Sequence, residues 1–360
     1  MLHSHTPKRV NRFQVKRTSD YCYNPGMIDS VFREFAITAT HVEPLGNAGG
    51  FSGAAIWKIS SNEQQFCLKR WPESFRDRER IDWIHRVIVF AAANGCPEVV
   101  KPLASKTGTT YVEHNHCYWE LTPWVAASTT LDNSATTESI HSAVNVIARF
   151  HQATARFHFN FATSRNASIV VENLRALDAK LLKIEQGFSQ QPNYLERRQF
   201  EFFRSQAPVL ANRLASQLVP LAQNLVPVQP VIRDLRAEHL FIDENQTAVA
   251  LIDFGAMQID SVACDLARLS SSLGIFDAVE VQELYNTYCK DRYSGLASPA
   301  QTKVELELLN QFLLAIPVVS IANWMNWLFV EHRQFESKED INNRLQKLFT
   351  NFESVISKLN

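Results

Sequence analysis

Between positions 41 and 69, apolar and polar residues alternate in short runs (THVEPLG, AAIWKIS, QQFCLKRW). The runs are broken by the small-residue loop Gly46-Asn-Ala-Gly49-Gly50-Phe-Ser52-Gly53 and a turn at Ser61-Asn62-Glu63. Alternation of this kind predicts two or three strands. Over 78–94 the period lengthens: Ile81, Ile84, Ile88 and Ala91 share one stripe and Gly95 follows as a stop, which predicts a helix. Short strands around 99–103, 110–113 and 118–122 complete a strand-rich half ending near Pro123. Beyond it a 3.6-residue period predicts helices over 138–157, 171–185, 194–218, 277–289, 304–329 and 337–359. One island, 229–257, reads as strand, loop, strand, turn at Glu244-Asn245, strand. The layout is α+β and bilobal: a polar basic tail (1–30), a small β-rich lobe (31–119), a connector (120–125) and a larger, mainly helical lobe (126–360). Ligands usually bind in clefts between lobes.

Composition adds exclusions. Of 360 residues, 46% are hydrophobic and 20% charged, as in ordinary globular chains. Lys and Arg number 36 against 37 Asp and Glu, so no basic field recruits nucleic acid. The cysteines (Cys22, Cys67, Cys96, Cys117, Cys264, Cys289) form no Cys-x-x-Cys pair. Reduced thiols in a cytoplasmic protein are the expectation. The N-terminus lacks the apolar run of a signal peptide. It carries no acid before Asp20, faintly like a mitochondrial presequence, but a disordered tail is the expected reading. The most apolar stretch, 313–330, contains Pro317, Ser320, Asn323 and Asn326. These argue for a buried helix and against a membrane partner. The pattern is silent on oligomeric state.

The island carries the chemistry. Asp234 follows an apolar strand, and Asp253 closes the next hairpin nineteen residues on, in Asp253-Phe254-Gly255. Taken singly, each reads as a turn acid capping a strand. Arg233-Asp234-Leu235-Arg236-Ala237-Glu238-His239 resembles the kinase catalytic loop H-R-D-L-x-x-x-N that precedes D-F-G. Ile232 stands for the leading His, and His239 for the Asn. Val262-Ala263-Cys264-Asp265-Leu266-Ala267-Arg268 is similar to the D-x-A-R segment of the aminoglycoside phosphotransferase and choline kinase superfamily. Those small-molecule kinases share the protein-kinase-like fold, and the resemblance spans roughly residues 40–335.

The resemblance implies ATP-dependent transfer of the γ-phosphate to a hydroxyl of a small-molecule acceptor. Such transfer needs positioning and charge neutralisation more than covalent chemistry. Asp234 would meet the acceptor hydroxyl as base, and Asp253 would hold Mg²⁺ on the β- and γ-phosphates. Gly46, Gly49, Gly50 and Gly53 would let backbone N–H groups approach phosphate, with Ser52 adding a hydroxyl; alone, the segment is an ordinary hairpin loop. Lys69 would pair with the α/β-phosphates, and the alternative is a solvent-facing strand lysine. Strand alternation puts Phe66 and Leu68 on one face, Cys67 and Lys69 on the other. The position of the helix acid that orients such a lysine falls near His85, which would need a further acid to form that pair. His85 and Asp82, one turn earlier, are the two candidates, and a plain surface-helix role is the alternative for both. Glu120 and Thr122 fall in the connector, where backbone groups meet the adenine edge; Trp119 and Trp124 either pack or touch adenine.

His239 has three readings: a metal ligand, a phosphate donor, or loop packing. Mg²⁺ prefers oxygen donors and Mn²⁺ tolerates imidazole better. Arg236 either meets the γ-phosphate or is a surface arginine. Asp265 is expected to bond the catalytic-loop backbone and to cap a helix, paired with Arg268. His151 reads as core. Trp324, Trp327 and Phe335 line an acceptor pocket or belong to the core. The rival to a kinase is a relative that keeps the fold and nucleotide site but transfers nothing.

Overall fold

The computed structural model describes residues 25–46, 53–127, 129–133, 135–188, 197–292, 299–333, 335 and 337–359. Five antiparallel strands form the small lobe: β1 (His41–Pro44), β2 (Ala55–Ser61), β3 (Gln64–Arg70), β4 (Val112–His114) and β5 (Cys117–Pro123). Their spatial order is β1-β2-β3-β5-β4. The register sets Trp57 opposite Leu68, Ile59 opposite Phe66, and Leu68 opposite Leu121, so alternate residues share one apolar face. Helix α1 (Pro25–Glu34) and the turn after it cover that face with Ile28, Val31, Phe32 and Phe35. Their spacing of three and four residues is the helical stripe. The helix begins inside the span expected to be tail; residues 1–24, and Cys22 with them, lie outside the described residues.

The opposite face of the sheet looks to helix α2 (Arg78–Ala93). Asp77 caps its start by accepting from the Arg80 amide at 2.9 Å. Gly95, just past its end, has φ +108°, a conformation costly for any other residue. The expected strand at 99–103 is instead a tether between lobes. Val99 bridges Leu251 in parallel. The Val100 amide donates to Leu251 O at 3.1 Å, and the Leu251 amide donates to Glu98 O at 2.8 Å.

The large lobe contains α3 (Thr137–Phe157), α4 (Arg165–Arg175), α5 (Leu177–Phe188), α6 (Arg197–Gln223), α7 (Ala263–Leu273), α8 (Ala278–Arg292), α9 (Pro299–Met325) and α10 (Lys338–Leu359). A π turn, Asn326–Val330, follows α9. The helix expected over 171–185 is two helices, because the chain turns at Ala176 and so buries both Leu174 and Leu177. Strands β6 (Thr129–Thr130), β7 (Asn160–Thr163), β8 (Leu225–Val231), β9 (Leu240–Ile242), β10 (Ala248–Leu251) and β11 (Gln258–Asp260) form two small sheets, β10-β9-β6 and β11-β8-β7. By length and composition the segment Thr302–Val330 is apolar enough to cross a membrane. Here it packs against α4, α6, α7 and α10, burying Leu308, Phe312, Val318, Ile321 and Met325. One apolar core runs from Trp71 and α2 through the whole large lobe, and a second lies between α1 and the sheet.

Candidate active site

The loop after β8 hangs from a buried polar network. Asp265, in the first turn of α7, accepts from the Ile232 amide at 2.7 Å and the Arg233 amide at 2.5 Å. Arg233 is held at φ +71°, and these two bonds fix that turn. His151, fully buried in α3, contacts Asp265 Oδ2 at 3.0 Å through Nε2 and the Tyr288 hydroxyl at 2.9 Å through Nδ1. Burial holds His151 below its ordinary value despite Asp265, so Nε2–H donates to Asp265 and Nδ1 accepts from Tyr288. Arg292 donates to both Tyr288 and Gln229, and Gln229 donates to the His151 carbonyl at 2.7 Å. His151 is thus core, with a partner that reaches the loop. Two details differ from expectation: the residue capping α7 is Val262, not Asp265, and Arg268 pairs with Asp234, not Asp265.

Arg268 donates from Nε at 2.9 Å and from Nη2 at 2.7 Å, both to Asp234 Oδ1. Asp234 Oδ2 faces Arg236 Nε at 3.8 Å. Burial pushes the Asp234 carboxyl up, but Arg268 and Arg236 outweigh it and hold it below the ordinary carboxylate value. Arg236 is no surface arginine. Its Nη1 binds Glu238 at 2.7 Å and its Nη2 donates to His239 Nε2 at 3.3 Å.

Asp253 follows β10 at φ +63°. Its Oδ1 meets Lys69 Nζ at 3.2 Å and its Oδ2 lies 3.6 Å from His239 Nε2. The Lys69 charge, joined by His239 and Arg236, outweighs burial and holds the Asp253 carboxyl well below the usual range. Burial opposes the Lys69 charge, yet Asp253 and Glu120 keep it above an ordinary lysine. His239 is buried, and burial keeps it below the ordinary imidazole value. Its Nδ1 has no hydrogen-bond partner among the described residues.

The acid beside Lys69 comes from the sheet. Glu120 sits directly opposite Lys69 in the β3–β5 register, and its Oε1 lies 4.0 Å from Nζ. Its Oε2 accepts from Trp71 Nε1 and from His85 Nε2, both at 2.9 Å. His85 Nδ1 in turn lies 2.8 Å from the Thr110 hydroxyl. Burial pushes Glu120 up, but His85, Lys69 and Trp71 outweigh it and favour the carboxylate. His85 therefore reaches Lys69 through Glu120. Asp82 instead faces Arg78 at 4.0 Å, half-exposed. Glu120 and Thr122 lie within β5 rather than in a connector; Thr122 pairs with Cys67, and the Trp124 amide still donates to Gln65 O at 3.0 Å. Trp119 is packing, stacked on Trp57 with centroids 5.4 Å apart. The signal for Glu120 was a lone acid alternating with Trp119 and Leu121, one strand from Lys69.

Gly46 (φ +53°) and Gly53 (φ +82°) bound the small-residue loop. Gly49, Gly50 and Ser52 lie outside the described residues. Near the C-terminus, Trp324 is buried against Trp327 (5.3 Å) and Phe335 (5.4 Å). Among the described residues no group of three or more His, Cys, Asp or Glu converges as a metal site. Asp253 and the nearby His239 are a two-donor set. That suits a cation which takes only one or two protein ligands beside substrate phosphates, and a neutral imidazole is the form a metal binds.

A strand-rich lobe with its lysine, facing a helical lobe with two loop carboxylates, defines the protein-kinase-like class of fold. A family model described as the phosphotransferase enzyme family matches residues 44–299. The chain belongs to that family and is a small-molecule phosphotransferase. Solved structures agree on the fold. Spectinomycin phosphotransferase in complex with ADP and spectinomycin is 12% identical, with 92% of this chain and 98% of that one covered at a TM-score of 0.64. An aminoglycoside phosphotransferase from Alicyclobacillus acidocaldarius is 13% identical (92% and 94% covered, TM-score 0.60). Choline kinase from Cryptosporidium parvum Iowa II is 10% identical (93% and 97%, TM-score 0.56). No curated protein sequence matches the chain.

Proposed function

We propose that this protein is an ATP-dependent kinase that moves the γ-phosphate to a hydroxyl of a small-molecule acceptor in a reducing cytosol. The observation that carries the reading is the 3.2 Å contact between Lys69 of the small lobe and Asp253 of the large one, with Asp234 nineteen residues upstream on the neighbouring loop. Structural neighbours support it: one is bound to ADP, and others are named as glucosamine and aminopropanol kinases. The free thiols Cys67, Cys96, Cys117, Cys264 and Cys289 suit a reducing compartment.

Lys69, steadied by Glu120, binds the phosphate chain. Asp253 with His239 would hold Mg²⁺, or Mn²⁺, which neutralises phosphate charge when bound. Asp234 offers Oδ2 to the acceptor hydroxyl, since Arg268 already occupies Oδ1. The acceptor oxygen attacks the γ-phosphorus in line, its proton passes to Asp234, and the bond to the β-phosphate oxygen breaks to release ADP. A carboxylate kept this acidic is a weak base, so it orients the hydroxyl first and takes the proton late.

Thermal shift and ADP release test the assignment. Asp253→Asn is expected to lose the ATP/Mg²⁺-induced rise in melting temperature while remaining folded. Asp234→Asn is expected to keep that rise and lose transfer by roughly 10²–10⁴-fold. Turnover retained in Asp234→Asn would hand the hydroxyl to another residue.

A further inference from the structure

Helix α7 grips the catalytic loop at three heights. Asp265, Arg268 and Ser272 are spaced three and four residues apart, so they share one helical face. Asp265 takes the amides of Ile232 and Arg233, where the loop leaves β8. Arg268 takes Asp234 by one oxygen, from Nε at 2.9 Å and from Nη2 at 2.7 Å. Ser272 takes the far end: its Oγ accepts from the Ala237 amide at 2.8 Å. The same hydroxyl donates its one proton to the Leu269 carbonyl at 2.9 Å, which leaves its lone pairs for Ala237. Bonding back to the preceding turn is ordinary for a helical serine. The second bond, across 35 residues to the loop, is nothing the helix itself requires.

Ala237 opens the short 3-10 turn Ala237–His239, and Arg236 before it supplies no side-chain cap. Ser272 fills that place from another element. The turn carries His239, whose carbonyl accepts from the Ile252 amide at 3.0 Å, next to Asp253. The bond at Ala237 therefore bears on both residues assigned above to the cation. Helix α7 is itself a firm base. Asn351 of α10 donates to the Ser271 carbonyl at 2.9 Å, and Arg268 Nη1 reaches the Ser320 hydroxyl of α9 at 3.5 Å. Leu266, Ala267, Leu269 and Ser270 are fully buried.

Resting on the kinase reading above, we infer that Arg268 and Ser272 are positioning residues for phosphoryl transfer. Arg268 holds the Asp234 carboxylate so that Oδ2 is the oxygen left for the acceptor, and Ser272 holds the turn that presents His239. Among the described residues neither bonds Lys69 or Asp253. A misplacement of about 1 Å can cost roughly 10²-fold in rate. A helix that fixes the loop at both ends, and the carboxylate between them, thus governs turnover without holding the nucleotide.

Hydrogen exchange on peptides within 232–239, ATP titration, and ADP release with water as the acceptor test this on the full chain. Ser272→Ala is expected to speed exchange of the Ala237 amide roughly tenfold, the measure of one lost hydrogen bond, with far smaller changes in α3 and α9. Its ADP release should fall roughly tenfold while the Kd of ATP without metal moves less than about twofold. Ser272→Thr keeps the hydroxyl and should restore both. Arg268→Gln is expected to lower ADP release roughly 10²-fold, with the Kd of ATP/Mg²⁺ within about twofold and exchange at Ala237 unchanged. Arg268→Lys should recover part of that loss. Exchange at Ala237 that is unchanged in Ser272→Ala, or raised equally throughout the chain, would overturn the role of Ser272. Nucleotide affinity lost in step with turnover in Arg268→Gln would overturn that of Arg268. The exchange measurement needs no nucleotide, so wild-type protein that binds no ATP would remove the kinase reading while the grip of α7 is still judged by exchange.

Discussion

Glu120 supplies the charge beside Lys69 that the helix lacks. Its position directly across the β3–β5 ladder needs no long reach, and three partners keep its buried carboxylate ionised. Glu120→Gln is expected to destabilise the protein by about 1–3 kcal/mol, because His85 and Trp71 lose a charged acceptor. It should also weaken ATP binding roughly tenfold, the order expected for one charged contact. Urea denaturation and nucleotide titration check both, and an unchanged nucleotide affinity would separate Glu120 from the site. Of the site, Asp234, Asp253 and Lys69 were legible because they sit in a linear motif or at a fixed strand position. Glu120 was singled out for the adenine edge, and its role beside Lys69 was not legible, since a cross-strand partner fifty-one residues on is joined only by strand pairing.

At the scale of elements, local pattern was a good guide where one face is buried, and a poor one where pairing is made elsewhere. The strands at 41–70 and helix α2 follow their alternation and period closely. Helix α1 was hidden beneath a polar, basic leader, although Ile28, Val31, Phe32 and Phe35 carry the stripe. The segment at 99–103 looked like a sheet strand because its apolar residues are shared out, Val99 bridging Leu251 of the large lobe and Leu103 packing on the small-lobe core. Helix packing gives its own prediction at Gly187 in α5. A Cβ there would lie 2.0 Å from the Phe329 carbonyl oxygen of the π turn. Gly187→Ala should therefore cost about 1–3 kcal/mol or more, as overpacking does, measured as a lowered urea midpoint. A midpoint unchanged from wild type would mean the two elements separate freely.

For the whole molecule, the buried set His151, Asp265, Tyr288, Arg292 and Gln229 links the catalytic loop to the helical core. His151 stays neutral when folded, whereas the unfolded chain takes up a proton below about 6.5. The unfolded state then binds more protons, so stability is full above that pH and falls as pH drops beneath it. Melting temperature followed between pH 7.5 and 5 should show this decline, and His151→Gln should flatten part of it. A slope identical in the variant would assign the proton uptake to other groups. The bilobal plan itself was readable, because the change from alternation to a helical period marks the boundary. How the lobes are fastened was not.

Residues 98–100 lace onto β10, and α2 packs on α3, so α2 is anchored to the large lobe while Glu120 belongs to the sheet. The His85–Glu120 bond therefore ties the sheet to a helix fixed on the large lobe. Through that one shared acid, the lysine of one lobe takes its bearings from the other.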